Sequence, residues 1–178
     1  MKSQIFIAAI AIFCMFSLQS SAQMFELVLD NTDPEVDTVG TWTEYDESEV
    51  TGSNGNNSVY VKMPGDGTGF TRYSMPAGGS LLPGSYTVYA RWIAHPILAT
   101  NTRYRIYSST SEYVDVRVNQ QENHARWIPL ATVTISAPSP VIMVFDDANG
   151  YVEADGIRLV RVGEVPTSTR ATTDTDAE

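Results

Sequence analysis

The chain has 178 residues and a formal net charge of −10, with 43% hydrophobic and 10% aromatic residues against 18% charged. This is enough apolar material for one packed domain and too much for wholesale disorder. The acidic balance excludes general nucleic-acid binding, which needs a basic surface for phosphates.

Residues 1–22 read as a signal peptide: Lys2 supplies the positive start, Ile5 to Leu18 the apolar stretch, and Ser20-Ser21-Ala22 a small-residue cleavage site before Gln23. The apolar stretch is shorter than the roughly 20 residues needed to cross a bilayer, so no integral membrane span is expected. The expected destination is outside the cytoplasm: secreted, and extracellular, cell-surface or periplasmic. Cys14 is the one cysteine and leaves with the signal. The mature chain therefore has no thiol and must rest on its core, on bound ions, or on both.

From Met24 to Val162, short runs of Val, Ile, Tyr, Trp and Thr alternate with Gly, Pro, Asn and Asp, the signature of an all-β sandwich or barrel. Strands are predicted at Phe25–Leu29, Thr41–Tyr45, Ser58–Lys62, Phe70–Ser74, Ser85–Ile93, Arg103–Ser108, Tyr113–Val118, Ile128–Ser136, Val141–Phe145 and Gly156–Val162. Residues 23–162 form the expected domain, and residues 163–178, rich in Thr, Ser, Asp and Glu, a solvated acidic tail.

Three of these strands divide their faces by alternation. Tyr86, Val88, Ala90 and Trp92 point one way and Thr87, Tyr89 and Arg91 the other. Tyr104 and Ile106 oppose Arg103, Arg105 and Tyr107, and a core row of Val114, Val116 and Val118 opposes Tyr113, Asp115 and Arg117. If the three strands are neighbours in a meander, Tyr89, Arg91, Arg103, Arg105, Tyr107, Tyr113 and Arg117 share one outward surface. Such a surface fits a polysaccharide, possible acidic groups being gripped by guanidinium forks while tyrosines stack on sugar rings. The competing reading is cross-strand pairing on a solvent face, with the arginines neutralised by Asp115, Glu112 and the acidic N-terminal segment.

Four separated blocks carry a resemblance. Pro83-Gly84-Ser85-Tyr86-Thr87-Val88-Tyr89-Ala90-Arg91-Trp92 with His95-Pro96 and Ala99-Thr100-Asn101 is similar to the central signature of the golvesin and xanthan-lyase C-terminal, carbohydrate-binding-like domain family. Val118-Asn119-Gln120-Gln121 with Trp127 and Leu130 resembles the next block, and Asp147-Ala148-Asn149-Gly150-Tyr151-Val152 with Ala154-Asp155-Gly156-Ile157-Arg158 the closing one. Asp30-Asn31-Thr32-Asp33-Pro34 and Gly40-Thr41-Trp42 fit the opening. The resemblance runs from about residue 27 to 161. It implies a single β-sandwich of the galactose-binding-like, jelly-roll type. It departs from the family at Ile97-Leu98, where relatives are more polar, and at Glu122-Asn123-His124-Ala125-Arg126, which replaces a glycine-rich turn. Both loops are candidates for setting specificity.

No nucleophile elbow or metal-binding His pattern occurs, so catalysis is not expected. His95 before Pro96 is read as fixing its loop through ring hydrogen bonds, His124 as a turn residue, and Trp42, Trp92 and Trp127 as core. Asp146, Asp147 and Glu153 are read as turn or surface groups. Met24–Val61 holds nine acids and no Lys or Arg, and Asp30, Asn31 and Asp33 are candidates for a structural calcium with oxygen ligands; Asp155 is a candidate for a structural hydrogen bond or a contact to that ion. Asp30 to Pro34 equally reads as a self-closing turn. The expected function is a secreted, non-catalytic module that binds polysaccharide. The alternative is a structural or adhesive protein acting on protein partners or on copies of itself.

Overall fold

The computed structural model describes residues 26–46, 58–76, 81–135 and 140–164. The expected signal peptide and most of the expected tail lie outside the described residues.

The described chain folds into twelve strands: β1 (Glu26–Leu29), β2 (Val36–Val39), β3 (Thr43–Asp46), β4 (Ser58–Lys62), β5 (Phe70–Tyr73), β6 (Gly84–Arg91), β7 (Thr102–Tyr107), β8 (Tyr113–Val118), β9 (Ile128–Ile135), β10 (Val141–Phe145), β11 (Val152–Ala154) and β12 (Gly156–Gly163). A four-stranded sheet in the order β1-β12-β6-β9 packs on a five-stranded sheet in the order β2-β5-β10-β7-β8, and β11-β4-β3 make a small third sheet. Every strand pair is antiparallel. This is a β-sandwich. Among the described residues no helix is long and apolar enough to cross a membrane.

Alternation is cleanest where a strand is central. In β6, Tyr86, Val88 and Ala90 are buried and Ser85, Thr87, Tyr89 and Arg91 are not; in β7, Tyr104 and Ile106 are buried and Arg103, Arg105 and Tyr107 point out. The inward rows meet Tyr73, Ile142 and Val144 from one sheet and Leu29, Ile157 and Leu159 from the other. Each such large side chain removed from water contributes about 1.5–3 kcal/mol. Trp92 continues the inward row of β6, fully buried, and donates its indole N–H to Glu122 O at 2.7 Å.

The structure corrects the sequence reading in four places. First, β6 lies in the four-stranded sheet and β7 and β8 in the five-stranded sheet, because the segment carrying Ile93 to Asn101 crosses from one sheet to the other. No meander joins them. Second, β8 is an edge strand: Val118 packs against the core, but Val114 is 42% exposed, so the valine row is only partly core. Third, Asp146 and Glu153 are buried rather than surface groups. Fourth, two strands went unpredicted, β2 and β11, and β12 runs through Gly163, one residue into the expected tail.

Asp146 is the pin of one sandwich corner. Its Oδ1 accepts Gly67 N at 2.8 Å, its Oδ2 lies 3.2 Å from Lys62 Nζ, and its backbone bonds Gly65 and Gly69. A Cβ at Gly65 or Gly69 would collide with that carboxylate, which explains glycine there.

Candidate functional site

The β11-β4-β3 sheet sits at one end of the sandwich and presents a face that the main core does not cover. Val61 on β4 pairs with Glu153 on β11 and with Thr43 on β3, and Val59 pairs with Tyr45. Against this face stand the Ile93–Leu98 segment, His124 and Tyr151. Between them opens a cleft of about 460 Å³, lined by Tyr45, Val61, Ile93, His95, Ile97, His124, Tyr151 and Glu153 among others. A shallower extension of about 300 Å³ continues past Thr41, Thr43, Lys62 and Met63, sharing Tyr45, Val61 and Tyr151.

The cleft is assembled from separate segments by backbone bonds that leave little freedom. Ala99 N donates to Tyr151 O at 2.7 Å and Tyr151 N to Ile97 O at 3.1 Å. Asn149 and Thr100 exchange side-chain and backbone hydrogen bonds at 2.7 and 2.9 Å. Gln121 Nε2 donates to Pro96 O and Leu98 O. Beneath lies fully buried Gln120: its amide donates to Glu153 O and Tyr104 OH and accepts from Glu153 N and Thr102 Oγ1. Every hydrogen-bonding position of that amide is used, so a polar group deep in the core costs little and fixes β7 against β11. Burial pushes the Tyr104 hydroxyl well above its ordinary range, so it stays a neutral partner in this network.

Glu153 forms the polar floor and takes Ile93 N on Oε1. His95 is exposed, and its Nδ1 accepts Ile97 N at 3.3 Å, which is the loop-fixing role read from the sequence. His124 sits on a turn whose neighbours Asn123 and Ala125 hold φ of 61° and 55°. These are left-handed values that glycine adopts more readily, at a cost of about 1–2 kcal/mol for alanine. The strain is held by Ala125 N donating to Trp92 O at 2.9 Å and by the Trp92 indole bond. Tyr45, 51% exposed, and Tyr151 line the opening.

The sequence-predicted ligand residues divide between two faces. Arg103, Arg105, Tyr107, Tyr113 and Arg117 share the outer face of the five-stranded sheet, and Tyr89 and Arg91 lie on the outer face of the four-stranded sheet. On the first face the arginines are engaged. Arg105 makes a two-pronged pair with Asp115 at 2.7 and 2.8 Å, with its guanidinium 4.0 Å from the Tyr113 ring centre. Arg103 Nε holds Asp147 at 2.8 Å and stacks 3.8 Å from the Phe145 ring centre, while Arg117 bonds Asp147 Oδ2 and two backbone carbonyls. The partners are Asp115 and Asp147 rather than Glu112; the N-terminal acids Asp37 and Glu26 serve Arg72 and Arg158 instead.

The candidate calcium residues form a turn. Asp30 Oδ1 accepts from Thr32 N and Oγ1, Asp33 Oδ2 accepts Asp30 N, and Asp33 N donates to Asp30 O. Burial raises the Asp30 carboxyl above its ordinary value despite those bonds. Asn31 is buried beside Ser58, and Asp155 is buried with its carbonyl accepting the Tyr73 hydroxyl at 2.8 Å. Among the described residues no three His, Cys, Asp or Glu side chains converge as a metal site. Trp42 is half-buried against the core, whereas Trp127 stands outside it, its ring centre 5.9 Å from the Arg91 guanidinium.

The model of the Golvesin C-terminal domain matches residues 27–161, most of the chain. The chain belongs to that family. Among solved structures, this golvesin-type domain is similar to a Paenibacillus xanthan lyase, with 31% identity and a TM-score of 0.65 over 77% of the chain; it spans 13% of the lyase's length. It also superposes on CBM35 from Cellvibrio japonicus Abf62 with a TM-score of 0.55, covering 79% of this chain and 99% of that one at 13% identity, a likeness of fold. No match is found among curated proteins.

Proposed function

We propose that this golvesin-type domain is a non-catalytic, secreted module that binds polysaccharide, and that the cleft over β11-β4-β3 receives a sugar unit. The observation that carries this reading is the cleft itself. An apolar opening of about 460 Å³ with two tyrosines and a few polar groups has the size and lining of small-ligand sites. Tyrosine rings stack on the apolar faces of pyranoses, while His95, His124 and Glu153 are placed to orient hydroxyls. Membership in the family and the sandwich shared with a carbohydrate-binding module support the same reading. Glycoside hydrolysis commonly uses two facing carboxylates; among the described residues the cleft is lined by one, Glu153.

A glycan array probed with the purified chain tests the reading directly. Tyr45→Ala and Tyr151→Ala should each weaken binding to the best glycan about fivefold, the loss of roughly 1 kcal/mol of ring contact. Array silence, or unchanged binding in both folded variants, removes the cleft as the site.

A further inference from the structure

We infer that the outer face of the four-stranded sheet is a second binding surface, built for a carboxylate-bearing polysaccharide and centred on Arg91 and Trp127. The inference stands apart from the cleft and rests on how the arginines of this face are held.

Arg91 makes no hydrogen bond or ion pair with any side chain among the described residues, and its Nε is buried without a partner. It is positioned by stacking: its guanidinium lies 5.9 Å from the Trp127 ring centre. The Asp30 carboxylate lies within reach of its charge, and the Asp30 Oδ1 is already taken by Thr32. One rung along the sheet Arg158 stands opposite Tyr89 in the β12–β6 register, its guanidinium 5.6 Å from the Tyr89 ring centre, but its Nε lies 2.8 Å from Glu26 Oε1, so this second arginine is tied by an ion pair where Arg91 is not. Exposed Arg126 adjoins Trp127 and also lacks a side-chain partner among the described residues. Stacking fixes a guanidinium in orientation without consuming its N–H edges. Such a group is ready for a two-pronged bond to an incoming carboxylate.

The geometry selects a sugar polymer over an acidic peptide. β6 is paired on both sides, by β12 and β9, so this face has no free backbone groups with which to bind a peptide strand. What it offers is the Arg91 guanidinium beside the Trp127 ring, with the Tyr89 ring one rung, about 7 Å, along β6. A uronate-containing chain supplies both a carboxylate and pyranose faces for these groups. Charge complementarity points the same way, because Arg91 and Arg126 carry no ion pair among the described residues on a protein of net charge −10.

The test is retention of the full chain on immobilised polygalacturonate, neutral β-glucan and poly-glutamate. Wild type should bind polygalacturonate more tightly than either other polymer, and salt should weaken it. Arg91→Gln and Trp127→Ala should each weaken that binding about tenfold. Arg91→Lys should recover part of the loss, since a point charge replaces a fork. Arg72→Gln, which removes the same charge from the opposite face, should change nothing. Circular dichroism melts establish that each variant is folded, and Arg91→Gln decides the matter if Trp127→Ala is not. The inference is overturned by absence of wild-type retention on polygalacturonate, by equal retention of Arg91→Gln, or by equal binding to poly-glutamate. Because the cleft is probed on a glycan array through Tyr45 and Tyr151, either site can fail without the other.

Discussion

On the five-stranded sheet, Arg103, Arg105 and Arg117 give their N–H groups to Asp115 and Asp147; on the four-stranded sheet, Arg91 lies on an indole and gives its N–H groups to no side chain among the described residues. The two faces carry the same residue types and look alike in the alternation of β6, β7 and β8. They differ in what loops bring to them. Asp147 follows β10 and reaches over to Arg103 and Arg117, 44 and 30 residues away in sequence; on the other face Glu26 ties Arg158, but among the described residues no carboxylate bonds Arg91. An arginine on a strand face is thus tied, or left without a side-chain bond among the described residues, according to residues far away in the chain.

Removing the tie should have the largest effect. Asp147→Ala strands two guanidinium groups and should lower stability by about 2 kcal/mol, a fall in melting temperature of roughly 4–8 °C for a domain of this size. The same change should make the five-stranded face resemble the other and raise retention on polygalacturonate. A melt unchanged within 1 °C would show that the ties are ornamental.

Acid should loosen the tied face. Hydrogen bonds from Arg105 hold the Asp115 carboxyl below its usual range; burial pushes Asp147 upward, but bonds from Arg103 and Arg117 outweigh it and bring it below as well. A carboxyl lowered in the folded state contributes stability above its unfolded value of 3.8, and that stability is lost as pH falls through the lower folded value. The Asp115→Asn, Asp147→Asn double variant should therefore lose stability at neutral pH and show a flatter decline below pH about 4 than wild type. Parallel acid-unfolding curves would contradict the assignment.

Smaller still is Arg105→Met. The pair with Asp115 is partly exposed, so the expected loss is about 0.5–1 kcal/mol, with no change in polymer retention. Smallest of all is Arg91→Met, which removes no side-chain hydrogen bond among the described residues and keeps an apolar stem on Trp127; urea melts should place it within about 0.5 kcal/mol of wild type. A large loss there would mean that Arg91 is a structural tie after all.

Much of the fold was legible because central strands write their burial into a two-residue period: β6 and β7 show it residue by residue. The strands that escaped are short. β2, mostly exposed along an edge, pairs Asp37 with Arg72 rather than filling the core, and β11 is three residues long and buried on both faces, so neither alternates. Sheet membership was not legible, since nothing local in Ile93 to Asn101 tells that this segment changes sheets. The cleft was legible only at its rims. The departures at Ile97-Leu98 and at Glu122 to Arg126 do border it, whereas Tyr45, Tyr151 and Glu153 come from segments with no pattern linking them. Trp127 resembled a core tryptophan because it precedes a β strand; its neighbour Ile128 takes the inward position instead. Its contact with Arg91 is a pairing the alternation did not show.

The register of β1 on β12 has a mechanical consequence. Glu26 lies opposite Val160 and Leu29 opposite Ile157, so the described chain comes into and leaves the sandwich side by side, at the end away from Ile93 and the cleft. Tension applied across these two points would peel the β1–β12 ladder open rung by rung from Glu26, as a zipper opens, because its hydrogen bonds lie nearly along the pull. Tension between one of these points and a glycan held in the cleft would instead run lengthwise through β12 and β11, loading many rungs together in shear. A domain loaded this way would yield easily when stretched by its own chain and resist when the load runs between a chain end and the cleft.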